Sequence, residues 1–311
     1  MTAPGVSRFV TAPDGLRLHV REYGDRRSQH LPVACLPGLS RTAEDFDVLA
    51  AAIATDAAAP RRVLALDYRG RGLSEHDRNP KNYAIRVELA DVIAVLVAFG
   101  AAPAIIVGTS RGGLLAMALA AQRPGAVAGA VLNDIGPVIA SEGLMRIKGY
   151  VGKLPEPRTF EEGADILRGI AGGQFPNLGA AAWLNAAKRG WREQNGRLIP
   201  TYDPALAHNL AAISPDQPTP TMWPQFEALA GVPVMVIRGA NSDILSSETV
   251  EAMKTRHPAM DVLVVADQGH APLLAEPGTI ATIKRFAEKC DAAHAEAAAS
   301  PSLPSPACGG G

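Results

Sequence analysis

A chain of 311 residues, 47% hydrophobic and 20% charged, has the composition of a folded globular protein, and at this length it buries a substantial core without staples. A net charge of −1 at pH 7 offers no basic surplus to attract nucleic acid or an anionic membrane surface, so the expected partner is a small molecule. The three cysteines, Cys35, Cys290 and Cys308, have neither metal-site spacing nor a disulfide framework; they imply a reducing compartment, expected to be the cytoplasm.

From the N-terminus, residues 1–15 lack the basic and apolar regions of a signal peptide. Alternating residues around Asp14-Gly15 predict a hairpin. Beyond it, short apolar runs at 31–36, 63–66, 104–107, 130–132, 232–237 and 262–265 read as strands buried on both faces. Cys35 falls in the first of these and is expected to act as a small core residue. Helical patterns lie between most of them, at 42–54, 83–99, 112–122, 246–256 and 277–289. Residues 92–110 carry no charge over about 19 positions, the length of a membrane span. Gly100 and Pro103 interrupt them, so a buried helix followed by a buried strand is the expectation. Strand–helix alternation predicts an α/β fold: a doubly wound, mostly parallel sheet of about eight strands with right-handed crossovers.

The rhythm breaks between residues 132 and 232, where no buried strand is evident. Segment 137–225 holds all three tryptophans, Trp183, Trp191 and Trp223, with Tyr150, Phe160, Phe175 and Tyr202. It predicts a helical subdomain of about three short helices with its own small core, serving also as a lid over an apolar pocket. Residues 1–136 and 226–290 are then the main domain. Residues 291–311, Ala-rich and then Ser/Pro/Gly-rich, are expected to form a disordered tail.

Gly108-Thr109-Ser110-Arg111-Gly112 is a G-x-S-x-G sequence flanked by a predicted strand and helix. That context makes a strained turn exposing the Ser110 hydroxyl beside a helix N-terminus. A serine needs a base. Of seven histidines, His270 follows the last predicted strand, at the sheet edge where ligands meet an open α/β sheet. His76, His208 and His257 are worse placed, in a long loop, the lid and a helix end. The orienting acid is expected to be Asp243, after the strand at 232–237, which gives the chain order Ser, Asp, His. Asp134, after the preceding strand, is the competitor. Backbone N–H groups of Arg111 and of Leu39, in Pro37-Gly38-Leu39, are the candidate oxyanion donors.

With the Asp67-Tyr68-Arg69-Gly70-Arg71-Gly72-Leu73-Ser74 segment, these motifs resemble the α/β-hydrolase superfamily over about residues 6–289, in its serine-nucleophile branch with a helical cap after strand six. Relatives often carry His-Gly where this chain has Pro37-Gly38. The 67–74 segment is expected to be structural. Epoxide hydrolases and haloalkane dehalogenases of similar sequence use aspartate where Ser110 stands. The resemblance implies cleavage of an ester or lactone through an acyl-serine, with no metal or cofactor required. Carbon–carbon bond hydrolysis, perhydrolysis or acyl transfer on the same triad, or a silent binding protein of this fold, remain the alternatives. Neither substrate nor oligomeric state is legible.

Overall fold

In the computed structural model, which describes residues 5–211, 213–214 and 219–299, the apolar runs become strands of one sheet. In chain order they are β1 (Val6–Thr11), β2 (Arg17–Tyr23), β3 (Val33–Leu36), β4 (Val63–Leu66), β5 (Ala104–Thr109) and β6 (Val127–Asn133). A separate hairpin of β7 (Trp191–Gln194) and β8 (Arg197–Pro200) follows, and then β9 (Val234–Gly239) and β10 (Asp261–Val265) return to the sheet. The spatial order is β1-β2-β4-β3-β5-β6-β9-β10. β2 runs antiparallel to both neighbours and every other pairing is parallel. The β1–β2 connection is longer than a two-residue hairpin: Ala12 and Leu16 close it, with Gly15 at φ 91°.

Side chains alternate between two cores, as strands covered on both faces require. Ala34, Leu64, Ile106, Leu132 and Val236 face one side with α2 (Ile85–Ala98), α3 (Arg111–Gln122), α7 (Trp223–Glu227) and α8 (Ser247–Arg256). Val33, Cys35, Ala65, Val107 and Ile237 face the other with α1 (Asp47–Ala54) and α9 (Pro277–Ala299). Cys35 is fully buried there, and burial pushes its thiol pKa far above the ordinary value. The uncharged stretch is a helix ending at Ala98 and a strand starting at Ala104. No helix among the described residues is long and apolar enough to cross a membrane.

Between β6 and β9 lie α4 (Ser141–Tyr150), α5 (Phe160–Ala171), α6 (Ala180–Gly190), the β7–β8 hairpin and α7. Ala164, Phe175, Trp183, Ala187, Trp191 and Leu198 form a separate small core within this insertion. The hairpin departs from the all-helical insertion that the sequence predicts. Its turn, Asn195-Gly196 with φ 52° and 72°, carries the Asn-Gly signal of a primed turn.

The expected disordered tail is corrected at its start. α9 continues to Ala299, and Asp291 is fixed by Arg61 (2.8 and 2.7 Å), His30 Nδ1 (2.8 Å) and the Leu31 N–H (3.1 Å). Alanine is a strong helix former, so an Ala-rich run continues a packed helix readily. Residues 300–311, including Cys308, lie outside the described residues.

Candidate active site

The chain runs from β3 to β4 on one side of the sheet, then returns to β5 on the other side of β3. That reversal opens a crevice between the carboxyl ends of β3 and β5, where ligands enter an open α/β sheet. The loop 37–39 and Ser110 are its two lips.

β5 passes directly into α3 at Ser110, whose φ of 51° and ψ of −113° lie outside ordinary L-residue conformations. Neighbouring contacts hold it there: its N–H donates to Asn133 O (2.9 Å) and its carbonyl accepts from Gly113 N–H (2.8 Å). The flanking glycines are steric necessities. A Cβ on Gly112 would stand 2.0 Å from the Leu36 carbonyl oxygen, and one on Gly108 2.4 Å from the Gly112 backbone.

The loop after β10 presents His270, whose Nε2 lies 2.8 Å from Ser110 Oγ and whose Nδ1 lies 2.8 Å from Asp134 Oδ2. A carboxylate only accepts, so Nδ1 carries the ring proton and Nε2 is left to accept from the serine hydroxyl. Asn133 Nδ2 donates to both Pro272 O and Thr109 Oγ1 (3.1 Å each), tying the histidine loop to the serine turn. Gln174, from the insertion, accepts from the His270 N–H at 3.2 Å.

The placement of the acid is a correction. Asp243 does not meet the histidine ring; Arg146 of α4 takes both its carboxylate oxygens, at 2.6 and 2.8 Å. Burial acts to raise the Asp243 pKa, but hydrogen bonds from Arg146 and Gln174 and the charge of Arg146 outweigh it and hold the group below its ordinary value. Asp134, fully buried at φ 56°, turns toward His270 instead. Its Oδ1 accepts from Gly239 N–H (2.8 Å) and its Oδ2 also accepts from Ser242 Oγ (2.6 Å). The loop expected to supply the acid therefore supplies donors that hold a different one.

Leu39 and Arg111 both stand at the crevice. Arg111 opens α3, where the first N–H groups have no intrahelical acceptor. In the facing loop, Pro37 O accepts from Tyr68 Oη (3.2 Å), Gly38 O from Arg41 N–H (3.2 Å) and Leu39 O from Arg71 Nε (2.8 Å). In a trans peptide C=O and N–H point oppositely, so the bond to Gly38 O sets the direction of the Leu39 N–H. Arg71 and Glu88 are fully buried. Glu88 bridges Arg71 Nη1 (2.7 Å) and Arg111 Nε (2.5 Å), so one carboxylate links the residues on both lips. The 67–74 segment thus does more than shape a turn, because Arg71 anchors the 37–39 loop.

The rival histidines stand elsewhere: His257 on Val232 O (3.1 Å), His208 on Ala205 O (3.0 Å) and His76 at 3.7 Å from Asp203. Gln174, Ser242, Arg146 and Glu88 went unnoticed in the sequence. Their partners are 17 to 108 residues away, and no local pattern marks them.

The profile described as "Alpha/beta hydrolase family" matches residues 33–283. The chain belongs to the alpha/beta hydrolase family. An alpha/beta hydrolase from Novosphingobium aromaticivorans DSM 12444, solved as a crystal structure, is similar at 40% identity and a TM-score of 0.85, covering 93% of this chain and 100% of that one. The 3-hydroxybutyrate-oligomer hydrolase of Cupriavidus necator is 33% identical over 291 residues, covering 88% of this chain and 94% of that protein. The 2-(acetamidomethylene)succinate hydrolase of Mesorhizobium japonicum is 26% identical over 208 residues, covering 67% of this chain and 71% of that protein.

In this member of the alpha/beta hydrolase family a cavity of about 600 Å³ opens over Ser110 and His270. Leu39 and Leu273 border it from the main domain; Phe175, Trp183 and Trp191 border it from the insertion. Its lining is therefore partly apolar and aromatic, and Arg41, Asp45, Arg146 and Arg189 add charged groups to it.

Proposed function

We propose that the chain is a serine hydrolase of carboxylic esters, with Ser110 as nucleophile, His270 as base and Asp134 as the acid that orients it. The observation that carries this reading is the unbroken line of hydrogen bonds, 2.8 Å from Ser110 Oγ to His270 and 2.8 Å from His270 to Asp134. His270 Nε2 takes the hydroxyl proton as Oγ bonds to the ester carbonyl carbon, and the carbonyl electron pair moves onto oxygen. Backbone N–H groups of Leu39 and Arg111 receive that oxyanion. The tetrahedral adduct collapses, the C–O bond to the alcohol breaks, and the leaving alkoxide takes the proton from His270. Water, deprotonated by the same ring, then attacks the acyl-serine and releases the acid and the free hydroxyl. The insertion acts as the cap that shapes the acyl and alcohol pockets.

The relatives' names support hydrolysis, and because one of them is a 3-hydroxybutyrate-oligomer hydrolase, esters of short hydroxy acids are the substrates we would test first. The test is labelling by a fluorophosphonate together with release of p-nitrophenol from p-nitrophenyl acetate. The parent protein should label and turn over, and Ser110→Ala should do neither while keeping its melting temperature. Turnover of Ser110→Ala within ten-fold of the parent would overturn the assignment.

A further inference from the structure

One residue of the insertion reaches into the histidine loop. Gln174 stands in the turn after α5, and both its backbone and its side chain are engaged there. Its N–H donates to Ala171 O (2.9 Å), which closes the turn, and its carbonyl accepts from Asn241 Nδ2 (3.1 Å), in the loop after β9. Its Oε1 accepts from the backbone N–H of His270 (3.2 Å), in the loop after β10, and its amide also hydrogen-bonds the Asp243 carboxylate. A carboxylate only accepts, so Nε2 faces Asp243 and Oε1 is left to face the N–H. Asp243 is itself fixed: Arg146 of α4 takes both carboxylate oxygens, at 2.6 and 2.8 Å, and the Gly143 N–H donates to its carbonyl (3.1 Å). The neighbours therefore determine which way round the Gln174 amide sits.

A second observation concerns the residue before His270. A Cβ on Gly269 would stand 2.4 Å from Gln174 Cβ and 2.7 Å from its Oε1. The Gln174 side chain therefore lies directly against the backbone from which the His270 ring hangs, in space that only a glycine at 269 leaves open. The ring itself is held by Asp134 at Nδ1 and meets Ser110 at Nε2, both at 2.8 Å. Its backbone is held on two sides. Asn133 Nδ2 donates to Pro272 O (3.1 Å) from the main domain, and Gln174 accepts from the His270 N–H from the insertion.

We infer that Gln174 is a positioning residue for His270: by holding the His270 N–H and filling the space beside Gly269, it sets the distance from the ring to Ser110 and makes proton transfer depend on how the insertion is seated. Asp243, the acid that chain order favours, takes part through the Gln174 amide and not through the ring. A base displaced by about 1 Å can lose on the order of 10² in rate, so one backbone anchor at the base is enough to matter. This inference rests on the ester-hydrolase reading above.

The test uses two variants of the full chain. Gln174→Met keeps the length of the side chain and removes the amide; Gly269→Ala keeps Gln174 and displaces it. With p-nitrophenyl acetate each should lower kcat by about ten- to a hundred-fold and leave KM within about two-fold of the parent. The double variant should be no worse than the more impaired single one, because both changes remove the same contact. A second readout does not depend on turnover. The His270 Nδ1 proton, in its bond to Asp134, gives a low-field NMR resonance, and the buried His19, with Nδ1 2.7 Å from Asp67 Oδ2, gives another as an internal control. The first should shift or broaden in both variants and the second should not. A lowered melting temperature with kcat and the His270 resonance unchanged means that Gln174 only fastens the insertion, and overturns the inference. So does a loss confined to KM, or a double variant in which the two losses multiply. A parent that turns over no p-nitrophenyl ester overturns the ester-hydrolase reading instead; the resonance then decides the positioning role alone, upholding it if it moves and overturning it if it does not.

Discussion

Ser110 and Asp134 both occupy backbone conformations with positive φ, 51° and 56°. Such residues cost on the order of 1–3 kcal/mol each and persist only where the surroundings hold them. Here the restraint comes from hydrogen bonds: Asn133 O fixes Ser110, while Ile237 O accepts from the Asp134 N–H at 2.7 Å. Asp134 and Asp243 follow adjacent strands at the same edge of the sheet, and chain order favours Asp243. What separates them is the direction in which each side chain leaves its loop, and that is decided by Arg146, 97 residues from its partner. The assignment is open to a direct comparison. An isosteric amide at the orienting position reverses the hydrogen-bond preference, so Asp134→Asn should lower kcat by about 10² to 10⁴. Asp243→Asn leaves the His270–Asp134 bond in place and should cost far less. Both are measured on one p-nitrophenyl ester, with melting temperature as the check on folding. A severe loss confined to Asp243→Asn would restore the order expected from sequence.

At the scale of elements, legibility followed periodicity. β3, β4 and β5 are buried on both faces and read as continuous apolar runs, so they were visible with ends off by a few residues. β7 and β8 mix the buried Trp191 and Leu198 with exposed polar residues and show no long apolar run; the Asn195-Gly196 turn is what marks them. The end of α9 was hidden for another reason. Alanine content reads equally as low complexity or as helix, and what decides is one long-range anchor, Asp291 on the 2%-exposed side chain of Arg61. Burial raises the Asp291 pKa, but hydrogen bonds from Arg61, His30 and the Leu31 N–H together depress it. A carboxyl depressed in the folded state adds stability that is complete above its unfolded pKa and is lost as pH falls through the folded value. Asp291→Asn leaves Arg61 buried beside a neutral group and should cost about 1–3 kcal/mol at pH 7, or several degrees in Tm. The gap to the parent should narrow as pH falls below the ordinary aspartate range. Thermal melts of the two proteins from pH 7 to pH 3 measure it, and a constant gap would mean that Asp291 acts through shape, not charge.

Across the whole molecule, loops at the sheet's edge carry Ser110 and His270, and the insertion forms part of the cavity wall. The two are joined at several points: Gly72 N–H donates to Thr201 O (2.7 Å), Asp203 N–H to Gly70 O (2.7 Å), and Arg189 reaches Asp45. The insertion's small core also packs against Leu273, three residues past His270, so the apolar wall and the histidine loop share one packed surface. Phe175 and Trp183 meet edge to face, with ring centroids 6.3 Å apart at 86°, and both border the cavity. If these rings limit how far an acyl chain extends, shortening one should admit a longer chain, and the effect should appear as selectivity. Phe175→Leu keeps an apolar side chain while removing part of the ring volume, which limits the loss of packing. Each methylene accommodated in an apolar pocket changes specificity by roughly ten-fold or somewhat more. The ratio of kcat/KM for p-nitrophenyl octanoate over acetate should therefore rise by about ten-fold in Phe175→Leu. Trp183→Phe should move the same ratio in the same direction by a smaller factor. A ratio that stays constant while both rates fall would mean that the rings support the histidine loop without lining the acyl path, and the boundary between pocket and scaffold would then have to be drawn nearer Ser110.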